Sequence, residues 1–233
     1  MQTIQLFLLA LLSITACTDD TQPDAPVTPT PSESLTYLAL GDSYTIGESV
    51  AESERWPVQL AARLDADGID IQSPKIIATT GWTTRNLIDG IAAEGIEGNT
   101  YDLVSLLIGV NNQFQGRPIQ EYRDEFTELL NAAIAFAGGD KERVFVVSIP
   151  DYGYTPFGAS NQAAISAGVD AFNDAARSIT ESKDIAFYNI TPISREWEAG
   201  DNTLVASDGL HPSGEQYRRW VESFYAEVKA VLE

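Results

Sequence analysis

Residues 37–49 read YLALGDSYTIGES. An apolar run, LTYLAL at 35–40, stops abruptly at Gly41-Asp42-Ser43 and gives way to small and polar residues. Such a turn either only ends a strand or displays Ser43 at the strand's carboxyl end. The rest of the chain sets the frame for this choice. KIIAT (75–79), YDLVSLLIG (101–109), RVFVVSIP (143–150) and IAFYNI (185–190) are also short, β-branched or aromatic-rich and nearly unbroken. Strands covered on both faces of a parallel sheet have this character. Helical periodicity fills the intervals, in WPVQLAARLDA (56–66), TTRNLIDGIAAE (83–94), residues 119–137, residues 161–182 and finally 213–232. About five parallel strands alternating with helices predict an α/β fold, a three-layer α/β/α sandwich. In such sheets reactive groups sit on loops after the carboxyl ends of strands, here after Leu40, Thr79, Gly109, Pro150 and Ile190.

Composition limits the partners. The chain has 233 residues, 44% of them hydrophobic and 21% charged, enough for one sizeable core. Acidic residues outnumber basic ones 34 to 14, for a formal charge of -20. A field of that sign repels phosphate backbones, so nucleic acid is not expected as a partner.

The predicted loops hold the residues with chemistry. Gly41-Asp42-Ser43 follows the first strand and Gly81 the second; GVNNQ, with Gly109 and Asn111, follows the third; SDGLHPSG, with Asp208 and His211, precedes the last helix. In this order the Ser, Gly, Asn and D-x-x-H blocks resemble the SGNH, or GDSL, hydrolase superfamily over residues 36 to 230. The resemblance implies a flavodoxin-like domain and an ester-hydrolysing site built from these residues. There are two departures from the usual pattern. Asn112 stands where the third block usually has Asp, which bears on loop bracing and substrate choice, and Tyr44 replaces the leucine of the GDSL name.

The chemistry is consistent with that resemblance. A serine hydroxyl is a poor nucleophile without a general base in hydrogen-bond reach, and His is the side chain suited to neutral pH. His211 is the only histidine in the chain. A D-x-x-H spacing in a tight loop lets Asp208 accept from Nδ1–H and leaves Nε2 to face Ser43. Acyl transfer also needs donors for the oxyanion. The backbone N–H groups of Ser43 and Gly81 and the Asn111 side-chain amide are suited to this role, and the resemblance assigns it to all three. Asp42 reads as a turn-former shaping the Ser43 loop. Asp42, Tyr44, Trp82, Asn112 and Tyr154 are candidates for the substrate pocket, with Phe114, Tyr152 and Phe157 as further aromatics near the reactive loops. PDYGYTPFGAS (150–160) is the candidate specificity loop.

Other hydrolase and cofactor templates fail. Thr45 stands where a G-x-S-x-G elbow needs its second glycine, and neither G-x-x-x-x-G-K-[ST] nor G-x-G-x-x-G occurs. One His and one Cys are too few for a zinc site. No metal and no organic cofactor are expected. The expected substrate is a small-molecule or glycan ester: a short-chain acyl ester, an acetylated glycan or a lysophospholipid. The competing expectation is a catalytically silent domain of the same fold that binds carbohydrate or a surface.

The amino terminus reads as an address rather than part of the fold. IQLFLLALLSITAC is too short to span a bilayer as a helix and ends in small residues before Cys17, the only cysteine. SITAC resembles the bacterial lipobox, which implies lipidation of Cys17 and an exported, membrane-anchored lipoprotein, periplasmic or at the cell surface. The opening MQTIQ departs from that pattern by lacking Lys and Arg. Residues 1–16 are then the signal peptide. Cys17 and the Pro-, Thr- and Asp-rich residues up to 34 form a tether too poor in large apolar side chains to fold. The hydrolase domain occupies 35–233.

Overall fold

The computed structural model describes residues 34–201 and 203–233. The expected signal peptide, the lipidation site Cys17 and the tether up to residue 33 lie outside the described residues. Five parallel strands form one sheet: β1 (Tyr37–Asp42), β2 (Lys75–Thr79), β3 (Leu103–Leu107), β4 (Val144–Val147) and β5 (Ala186–Tyr188), in the order β2-β1-β3-β4-β5. The helices are α1 (Ser43–Ile46), α2 (Trp56–Ala66), α3 (Thr84–Glu94), α4 (Val110–Phe114), α5 (Ile119–Phe136), α6 (Gln162–Glu181), α7 (Thr191–Ser194) and α8 (Gly214–Leu232). The α/β sandwich read from the sequence is the architecture found.

Burial explains both the order and the reading. The central strands β1, β3 and β4 are buried at every residue, so their sequences carry no polar alternation. β2 and β5 lie at the edges and expose part of their length. β5 is shorter than the IAFYNI run predicts, because Ile190 already caps α7, whose Pro at the start fits the first helical turn. Helices α2 and α8 pack together, while α3, α5 and α6 pack in series. Trp56 of α2 and Phe224 of α8 meet edge-on at 6.2 Å, and both contact Phe145 of β4. These aromatic edges seal one face of the sheet.

The sheet order places the site. β1 pairs with β2 on one side and β3 on the other, so the chain leaves β2 and crosses β1 to reach β3. Loops after β1 and β3 therefore diverge, and the cleft they leave at the strands' carboxyl ends is where α/β sheets bind ligands.

Candidate active site

β1 runs without a break into α1, so Ser43 is the first residue of a helix at the end of a central strand. Gly41 permits this. A Cβ there would lie 2.6 Å from the Leu107 carbonyl oxygen and also strike the Thr45 side chain. Asp42 then caps the turn, its Oδ1 accepting from the Tyr44 N–H at 3.0 Å. Ser43 is nearly buried but lines an open cleft of about 470 Å³, the solvent at its mouth included. Thr80, Gly81, Asn111 and His211 line the same cleft.

The loop before α8 holds His211 by several bonds. Val205 and Pro212 form an antiparallel bridge, and the His211 carbonyl accepts from the Ala206 N–H at 2.7 Å. Asp208 Oδ1 accepts from the backbone N–H groups of Leu210 and His211 at 2.9 and 3.0 Å. Its Oδ2 lies 2.6 Å from His211 Nδ1. Partial burial pushes the Asp208 carboxyl up, but the bonds from the His211 ring, the two backbone N–H groups and the Ser49 hydroxyl outweigh it and bring it down to about 2. A carboxylate only accepts, so Nδ1 carries the hydrogen and the neutral ring presents Nε2 as its basic nitrogen. The Tyr44 ring packs against the His211 ring, tilted, with centroids 5.0 Å apart.

Three groups that can donate to an oxyanion border Ser43. Its own N–H begins α1 and has no partner within the helix. Gly81 follows β2 at φ +84°, a conformation that few other residues adopt. Asn111, in α4 after β3, donates from Nδ2 to the Trp82 carbonyl at 3.0 Å and, at the longer distance of 3.4 Å, to Asp42 Oδ2. These bonds orient the amide, which lines the cleft, and its donation to an oxyanion requires release of the longer bond to Asp42.

Four of the five pocket candidates sit elsewhere. Asp42 is wholly buried behind Ser43. The Trp82 ring lies on α3, where a Cβ at Gly90 would come within 2.6 Å of it, and only its carbonyl serves Asn111. Asn112 is buried against Thr84, accepting its N–H at 3.0 Å and donating to its hydroxyl at 2.7 Å. Tyr154 closes a 3-10 turn, away from the cleft's lining. Tyr44 does line the cleft, and Val110, Phe114, Tyr152, Phe157 and Leu210 supply its apolar wall. Phe114 and Phe157 are among the exposed large apolar side chains, and each packs on Tyr152. The 150–160 loop thus reaches the cleft through Tyr152 and Phe157, and the connection that follows Ile190 and α7 reaches it through Leu210 and His211. Sequence reading missed Val110 and Leu210, x positions inside the GVNNQ and SDGLHPSG blocks, as well as Thr80, which carries no motif, and Ser49, which bonds to Asp208 across the chain.

The model of the GDSL-like lipase/acylhydrolase family matches residues 39–219. The chain belongs to that family. No curated protein matches it. Among solved structures, it is similar to the psychrotrophic esterase EstA from Pseudoalteromonas sp., at TM-score 0.63 and 21% identity over 84% of this chain and 97% of that one. A carbohydrate acetylesterase family member from Sinorhizobium meliloti gives TM-score 0.62 and 20% identity over 85% and 99%. The lipase Lip_vut3 from a goat rumen metagenome gives 0.67 and 17% over 85% and 100%. The GDSL-like family is a family of hydrolases, and its esterase neighbours share this fold.

Proposed function

We propose that this GDSL-family hydrolase cleaves carboxylic esters with short apolar acyl groups through an acyl-enzyme on Ser43. The observation that carries the reading is one cleft lined by both Ser43 and His211, with the His211 ring fixed by Asp208 at 2.6 Å. In the first step Ser43 Oγ forms a bond to the ester carbonyl carbon and gives its proton to His211 Nε2. The carbonyl oxygen becomes an oxyanion facing the Ser43 and Gly81 N–H groups and the Asn111 amide. The bond to the alcohol oxygen then breaks as the imidazolium protonates it, leaving the acyl group on Ser43. Water adds by the same route in reverse, its proton taken by His211, and the acid departs as Ser43 recovers its hydrogen. Asp208, ionised throughout, stabilises the imidazolium.

The apolar wall of Val110, Phe114, Tyr152, Phe157 and Leu210 suits a hydrocarbon acyl chain better than an anionic one, and the net charge of -20 also disfavours anionic substrates. For location, we propose export and anchoring by a lipid on Cys17; the support is the SITAC run after a short apolar segment. Mass spectrometry of the mature amino terminus tests this directly. The test of the activity is hydrolysis of p-nitrophenyl esters of increasing acyl length by the full chain. Ser43→Ala and His211→Ala are each expected to lose roughly 10⁴-fold or more in kcat while keeping the wild-type unfolding midpoint. Undiminished activity in either variant would overturn the mechanism.

A further inference from the structure

The residues just after α1 carry bonds that the mechanism above leaves unused. Ser49 has φ +65°, and among the described residues only Asp184 is another non-glycine at positive φ. Such a conformation is unfavourable for a residue with a Cβ, and its presence beside a functional site calls for a reason. The Ser49 hydroxyl donates to Asp208 Oδ2 at 2.7 Å, the same oxygen that faces His211 Nδ1. The neighbouring Glu48 carboxylate accepts from the hydroxyl of Thr80, which lines the cleft next to Gly81. The N–H groups of Gly47 and Glu48 both donate to the Ser43 carbonyl, at 3.1 and 3.0 Å. Two consecutive residues thus tie the Gly81 loop and the Asp208–His211 loop to the backbone of Ser43.

We propose that Glu48 and Ser49 form a positioning strap for the site, in which Ser49 fixes the Asp208 carboxylate so that Oδ2 stays aimed at His211. The proposal rests on the reading of Ser43, His211 and Asp208 as the catalytic set. The Asp208 side chain is 28% exposed, so water competes for its oxygens. A hydroxyl held by the strap occupies one lone-pair direction of Oδ2 and leaves the other for Nδ1–H. Neither strap side chain lines the cleft, so both act through the loops they hold.

Three variants at one position separate positioning from simple stability. Ser49→Gly removes the hydroxyl and relieves the positive φ. Ser49→Asn keeps a donor on a residue that tolerates the left-handed region. Ser49→Ala loses the donor and keeps the strain. The readout is the rate at which Ser43 in the full chain is labelled by a fluorophosphonate, which requires no knowledge of the natural ester, alongside the unfolding midpoint. The expected rates fall about three- to ten-fold for Ser49→Gly and Ser49→Ala and stay near wild type for Ser49→Asn, one hydrogen bond being at stake. Ser49→Gly is nonetheless expected to unfold at or above the wild-type temperature. Labelling of Ser49→Gly at the wild-type rate, with His211→Ala inert, would overturn the strap and leave the catalytic set standing. Rates that merely follow the unfolding midpoints would also overturn it. If His211→Ala labels like wild type, the catalytic set is wrong and the strap falls with it.

Discussion

Asp42 sits wholly buried one residue before Ser43, and no cation among the described residues pairs with it. Burial pushes its carboxyl up to about 7, against the pull of the Tyr44 N–H and the Asn111 amide. An unfolded chain would hold the same group near 4. The folded protein therefore binds this proton more tightly, and the associated stability is present below pH 4 and lost as pH rises toward 7. Asp208 works the other way. Its folded carboxyl lies near 2, so its stabilisation is present above pH 4 and lost as pH falls toward 2. Urea unfolding of wild type and Asp42→Asn between pH 4 and 7 should show a decline in the first that is flattened in the second, since an amide can still cap Tyr44. Parallel curves would refute the assignment. The sequence shows why Asp42 belongs in the turn, because Asp caps helices, but not its burial, which arises only in the packed fold.

Between elements, the departure at Asn112 has a physical explanation. Asn112 lies in α4, just after β3, and bonds to both polar groups of Thr84, the first residue of α3. The Thr84 hydroxyl passes its own hydrogen to Glu125 of α5, whose other oxygen accepts from Arg85 Nε at 3.0 Å. One hydroxyl thus links α4, α3 and α5 beside the Gly81 loop. An aspartate at 112 would take away the donor and leave a single hydroxyl hydrogen between two carboxylates. Asn112→Asp is expected to cost about 1–3 kcal/mol in urea unfolding. Unchanged stability would show that Glu125 finds its partners elsewhere. The long elements around this lock were legible in the sequence because each carries its own periodicity: α3 (Thr84–Glu94) falls within the predicted 83–94 and α5 (Ile119–Phe136) within the predicted 119–137. The lock was not legible, since a Thr, an Asn and a Glu from three elements carry no local signal. The same reason hid the bond of Ser49 to Asp208, whereas Asp208 and His211 stand three residues apart and announce themselves.

Across the whole molecule, charge and site are set by different rules. Most ion pairs are exposed, as in the Arg218 and Arg219 pairs with Glu215, and contribute little. The excess of 20 negative charges instead repels itself over the surface. Added salt to roughly half-molar screens that repulsion, so the unfolding temperature is expected to rise with sodium chloride; a fall would mean that the exposed pairs outweigh the repulsion. The site is set by the sheet, which brings residues from distant parts of the chain to one switch point between β1 and β3. The central claim is that Ser43 takes the acyl group there with His211 as its base. Mass spectrometry of peptides from an acid-quenched reaction with p-nitrophenyl butyrate tests it most directly. The account predicts a butyryl group on the peptide containing Ser43, absent in Ser43→Ala and strongly reduced in His211→Ala. Turnover of the ester with the acyl group on another residue, or with the His211→Ala variant acylated as fast as wild type, would contradict it.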